Sequence, residues 1–194
     1  MRKTIPVVIA LISSTALFAQ NRFFTDINEN AIQRTSGKKN IIIEKARTVS
    51  FNIQALKNFL WVQPSENNIT NRYQAAVLEL PMPGGGSARY HVWESSVMEP
   101  GLAAKFPGIR TFAGQGIDDP TATIRFDWTE LGFHAMVLSG VSGAVFIDPY
   151  QQSDKNNYTV YFKKDFKSSE NFICGTEGLT NQAQNFTEAA GICV

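Results

Sequence analysis

Apolar and polar residues alternate with a period of two through most of the middle of this chain. From Arg47 to Ile53, the side chains of Val49, Phe51 and Ile53 share one face, and Thr48, Ser50 and Asn52 share the other. From Thr121 to Trp128, Ala122, Ile124, Phe126 and Trp128 alternate with Thr121, Thr123, Arg125 and Asp127. Phe133, Ala135 and Val137 alternate with His134, Met136 and Leu138, and Tyr158, Val160 and Phe162 alternate with Thr159, Tyr161 and Lys163. Successive side chains of a strand point to opposite faces, so each run predicts a strand with one buried face. Turn residues bound the runs: Gly84-Gly85-Gly86, Asp118-Asp119-Pro120 and Gly140 to Gly143.

Helical spacing is sparse. Ala55 to Trp61 places Leu56, Phe59 and Leu60 on one side of a turn or two. Pro100 to Lys105 is a second candidate, with proline near its start, where a missing N–H costs nothing. Pro107 stops it from continuing. The pattern predicts a mainly β domain: an antiparallel meander, sandwich or open barrel, with one or two short helices.

The ends change the picture. Arg2 and Lys3 precede an apolar stretch from Ile5 to Phe18, and Ala19 stands before Gln20 and Asn21. This is the layout of a secretory signal, too short in its apolar part for the roughly 20 residues of a membrane span. Residues 1–20 are therefore expected to direct export, with a secreted or periplasmic product that has no membrane contact after cleavage. Residues 21–45 form a polar lead-in whose Phe23-Phe24 pair is expected to pin onto the core, and 46–167 form the β domain. Residues 168–194, rich in Ser, Asn, Gln, Thr and Gly, are expected to be a linker. The whole is one domain's worth of chain at 194 residues. With a formal net charge of +1 and acids interspersed with bases, the chain lacks the basic stripe that nucleic acid or an anionic membrane would require.

Each common catalytic signature fails on spacing. The chain holds two histidines. His91 runs into Val92-Trp93-Glu94-Ser95 and His134 into Ala135-Met136-Val137-Leu138, so neither has the second histidine four residues on that a zincin helix needs. Both are expected to make ordinary hydrogen bonds. Gly140-Val141-Ser142-Gly143 misses the spacing of a serine nucleophile elbow. Asp118-Asp119 and Asp127-Trp128-Thr129-Glu130 bring carboxylates together, but Asp-Asp-Pro is first a turn signal. Gly84-Gly85-Gly86 has no phosphate-loop lysine and is expected to be a hairpin turn. Trp61, Trp93 and Trp128 are core candidates, with a sugar-stacking platform as the alternative. Three Asn-x-Thr triplets, at Asn68, Asn157 and Asn185, match glycosylation acceptors. No cofactor or metal is expected in the chain. Cys174 and Cys193 read by default as a disulfide in an oxidising compartment, worth about 3 kcal/mol on a chain-entropy account.

Several short blocks in order carry a resemblance. They are Tyr90-His91-Val92-Trp93-Glu94-Ser95-Ser96-Val97-Met98, Leu102 to Phe112, and Gly114 to Phe126 with its Gly-Gln-Gly-Ile-Asp-Asp-Pro core. Gly132-Phe133-His134-Ala135, Val145 to Tyr150 and Tyr161 to Asp165 complete the series. Together they resemble the N-terminal pro-region of secreted reprolysin-like zinc metalloproteases, members of the metzincin group, from Bacteroidetes-type bacteria. The likeness runs from about Ala46 to Val194. It implies a non-catalytic folding aid and latency device whose partner is a metzincin protease domain, in cis or in trans, with zinc only in that partner. The chain departs from the family in lacking the protease domain's histidine motif, so protease activity does not carry over. Phe172-Ile173-Cys174-Gly175-Thr176 is similar to the Cys-Gly block by which related pro-regions offer a thiolate to the catalytic zinc. That role for Cys174 and its pairing with Cys193 exclude each other. A self-contained secreted β module that binds carbohydrate or a surface protein is the alternative expectation.

Overall fold

The computed structural model describes residues 23–32, 43–152 and 154–167. Among them, nine strands form a single antiparallel sheet. The strands are β1 (Phe24–Asp26), β2 (Arg47–Phe51), β3 (Ala76–Pro81), β4 (Ser87–Glu94), β5 (Arg110–Gly116), β6 (Thr123–Thr129), β7 (Gly132–Ser139), β8 (Gly143–Pro149) and β9 (Asn157–Phe162). Their order is β1-β2-β9-β8-β7-β6-β5-β4-β3. From β3 to β9 the chain is an unbroken meander, and β2 then adds to the free edge of β9, with Arg47 opposite Val160 and Val49 opposite Tyr158. Two helices accompany the sheet: α1 (Ile53–Trp61) and α2 (Pro100–Lys105).

The sheet curls into a nearly closed barrel. Its inner face is the apolar side of the alternation: Val49, Phe51, Ile124, Phe126, Phe133, Ala135, Val137, Tyr158 and Val160 belong to one buried cluster. That cluster includes Leu56 and Leu60 of α1, both with no exposed surface, so the helix is a plug inside the curl. Aromatic rings knit plug and wall together. Trp61 meets Trp128 edge-on at 5.6 Å, Phe51 meets Tyr158 edge-on at 5.0 Å, and Phe112 stacks on Phe126 at 5.0 Å. Such pairs contribute roughly 0.5–1.5 kcal/mol each beyond the area they bury.

Arg47 draws the barrel's two ends together. Its guanidinium pairs with Asp26 on β1, and Nη1 donates to the carbonyls of Met82 (2.9 Å) and Gly86 in the β3–β4 turn. That turn is the triple-glycine hairpin expected from the sequence, with Gly85 and Gly86 at φ +98° and +65°. The strands come close at Gly114 on β5, where a Cβ would sit 2.6 Å from the His91 carbonyl and 2.7 Å from Ile124. Only glycine lets β4, β5 and β6 approach so closely.

Four features differ from the sequence reading. Ile53 begins α1 instead of ending β2, because Asn52 accepts from Ala55 N at 3.1 Å and caps the helix. Thr121 and Ala122 precede β6 in a turn capped by Asp119, although Ala122 is buried as expected. In β9, Thr159 and Tyr161 are buried as well as Tyr158 and Val160, so this strand is covered on both faces. The lead-in does more than dock aromatics: Phe24 enters the core and its segment pairs as β1 against β2. The signal-like residues 1–20, and 168–194 with Cys174 and Cys193, lie outside the described residues.

Candidate functional site

The outward face of the meander carries the polar half of the alternation, and register sorts it into two rows. In one row, Thr111 on β5 lies opposite Asp127 on β6, and Asp127 lies opposite His134 on β7. One step beyond the Ala135–Ile147 pair, the same register sets His134 against Asp148 on β8, which lies opposite Thr159 on β9. In the second row, Arg125, Met136, Phe146 and Tyr161 follow one another across β6 to β9. A titratable row therefore runs beside an apolar one. Between and above them lies a cavity of about 610 Å³, lined also by Val97 and Thr111. That volume is within the range of small-ligand sites.

The chain leaving β4 forms the cavity's far wall. Ser95, only 4% exposed, accepts from Arg125 Nη1 at 2.9 Å and donates to Glu66 Oε2 at 2.8 Å. Thr111 Oγ1 donates to the Ser95 carbonyl at 2.6 Å and accepts from Val97 N at 3.1 Å. These bonds hold Arg125 at one end of the groove, with its charge facing Glu66 through the serine.

At the other end, His134 Nδ1 lies 3.2 Å from Asp127 Oδ1. That hydrogen bond raises the imidazole pKa above its ordinary 6.5, against the effect of burial, and the charges of Asp127 and Asp148 add to the rise. Burial pushes the Asp148 carboxyl up from 3.8, although the bond from Tyr161 OH to its Oδ2 (2.8 Å) and the charge of His134 oppose this. Tyr161 is itself raised, first by burial and then by that bond. Its ring stacks on Phe146 at 5.7 Å, which makes a flat aromatic wall beside the carboxylates. The groove is thus positive at Arg125, negative at Asp127 and Asp148, and adjustable at His134.

The remaining candidates take the structural roles open to them. Asp118 forms an ion pair with Arg89 at 2.6 Å, which lowers its pKa, and Asp119 caps its turn and accepts from Ser139 Oγ at 2.6 Å. His91 meets the Ala75 carbonyl at 3.0 Å and the Tyr73 ring edge-on. Ser142 sits in the exposed β7–β8 turn. Trp93 and Trp128 are buried and Trp61 packs against the core, so the three tryptophans make no exposed platform. Glu130 is exposed beside the β6–β7 turn. Among the described residues no serine, threonine or cysteine bonds to His134, and no three His, Cys, Asp or Glu side chains are grouped to hold a metal. Asp148 and Tyr161 were missed in the sequence. Their only signal was an outward position in a strand, and which outward residues share a row depends on register.

Comparisons with protein-family models, with curated proteins and with solved structures find no match for this chain. The likeness to metzincin pro-regions rests on the sequence blocks alone.

Proposed function

We propose that this chain is a non-catalytic pro-domain of a secreted zinc metalloprotease, acting as a folding aid and latency device for a metzincin domain. One observation carries the reading. The blocks of resemblance from Tyr90 to Asp165 keep their order along the chain and fall on β4 to β9 of one sheet, where residues of β5 to β8 line a single groove. A domain that binds only the folded form of its partner stabilises that form by mass action, and one that covers the cleft keeps substrate out. Zinc belongs to the partner in this reading, with Cys174 as the candidate thiolate that fills the open position of a catalytic zinc.

The test mixes the purified chain with a reprolysin-like metzincin domain and measures peptide hydrolysis and recovery of folded protease. Inhibition together with improved refolding is expected, and Cys174→Ser should weaken inhibition if the thiolate reaches the zinc. No effect on either quantity overturns the reading. The polar and aromatic groove also favours a second reading, a secreted β module that binds a carbohydrate or a surface protein. An oligosaccharide array and a pull-down against intact cells separate it from the first.

A further inference from the structure

The groove contains more acceptor capacity than the chain uses. Among the described residues, Asp148 accepts a hydrogen bond only on Oδ2, from Tyr161, and Asp127 only on Oδ1, from His134. One oxygen of each carboxylate is left over, and both residues line the same cavity. Next to them, two residues along in the second row, is the stacked Phe146–Tyr161 wall. Two carboxylates beside an aromatic face favour a flat, delocalised cation with several N–H donors. A guanidinium spreads several N–H donors in one plane, so it reaches one oxygen on each of two carboxylates while stacking on a ring, which a compact ammonium does less well. Arg125, at the far end of the groove and about 7 Å along β6 from Asp127 by strand geometry, is in place to meet a carbonyl of the same ligand.

His134 decides whether the seat is open. It stands between Asp127 and Asp148 in the row and faces no other acid. The charged groups around it are Asp127 and Arg125 from β6, Asp148 from β8 and the phenol of Tyr161 from β9, while β5 offers only the neutral Thr111. As an imidazolium it neutralises this end of the groove and repels a second cation. As a neutral imidazole it leaves two carboxylates uncompensated.

We propose that this groove is a binding site for the guanidinium of an arginine side chain presented by a protein partner, seated over His134 and against Phe146 with the free oxygens of Asp127 and Asp148 on either side, and admitted only while His134 is uncharged. The site stands independently of the pro-domain reading, because it concerns what the groove holds and not which protein supplies it.

The experiment follows the His134 and His91 ring protons by NMR in the intact chain while acetyl-arginine-amide is added, with acetyl-citrulline-amide as the uncharged isostere. At about pH 8 the arginine probe is expected to shift His134 and not His91, and to lower the pKa of His134. Between about pH 8 and pH 6 its affinity should fall by roughly tenfold for each pH unit below that pKa. Asp148→Asn should weaken binding more than about tenfold, the loss expected of a charge-assisted pair. His134→Gln should bind at both pH values, which tests the gate with a variant that keeps both carboxylates. The proposal is overturned if citrulline binds as well as arginine. Tighter binding at the lower pH, or failure of the arginine probe to shift His134, overturns it equally.

Discussion

Truncating Leu60 tests whether α1 is truly the barrel's plug. Its side chain has no exposed surface and lies in the cluster that joins helix and sheet. Leu60→Ala removes three carbons, and at about 0.8 kcal/mol for each buried carbon the transfer loss is about 2.5 kcal/mol. The wall around the site cannot collapse freely, because its rings are locked against one another, as Trp61 is against Trp128 at 5.6 Å. A residual void adds to the loss, so a total of about 3–4 kcal/mol is expected, within the span seen for such truncations. Urea unfolding followed by tryptophan fluorescence measures it, since Trp61 ends the helix and Trp128 packs against it. With a slope of about 1–3 kcal/mol per molar for a domain of this size, the midpoint should fall by at least about 1 M with the slope unchanged. Leu102→Ala on α2 is the control, since Leu102 is 45% exposed and should cost less than about 1 kcal/mol. Equal losses at the two positions would refute the assignment of α1 to the interior.

Two further outcomes follow from geometry and charge. Gly114→Ala should destabilise by about 1–3 kcal/mol, or prevent folding, since its Cβ would lie 2.6 Å from backbone that cannot move aside; thermal unfolding beside Gly84→Ala, where nothing lies within 4 Å, gives the comparison. Stability should also depend on pH through His134 and Asp148. Both have folded pKa values above their ordinary 6.5 and 3.8, so each contribution is full below the ordinary value and lost as pH rises through the folded one. Asp148→Asn should therefore raise the melting temperature more at about pH 8 than at about pH 3, below the ordinary carboxyl value, where the native carboxyl carries no penalty.

The sequence was most informative where one face of a strand is wet. β6 and β7 were readable because Arg125, Asp127, His134 and Met136 face the groove while Ile124, Phe126, Phe133 and Ala135 face the core. β3 escaped notice, because Leu78, Glu79, Leu80 and Pro81 are all buried and no alternation survives. Ile53 misled because an apolar residue continues the strand pattern, while a single side-chain bond from Asn52 ends it. The candidate site was visible only in pieces. Asp127 and His134 stood out as polar residues in alternating runs, but their partnership with Asp148 and Tyr161 spans four strands. It exists only once the hairpins set the register.

The placement of β2 between β1 and β9 has a consequence for how the chain acquires its shape. Every neighbouring pair from β3 to β9 closes through a local connection, whereas Arg47 and Val160, about 110 positions apart, must find each other across the entire sequence. A ribosome delivers β2 early and its docking edge last, so Val49 and Phe51 wait without shelter until β9 is made. The two ends then zip together, down to the bridge between Ile43 and Phe166. Loss of a few residues from β9 would leave the first-made strands with no edge to join.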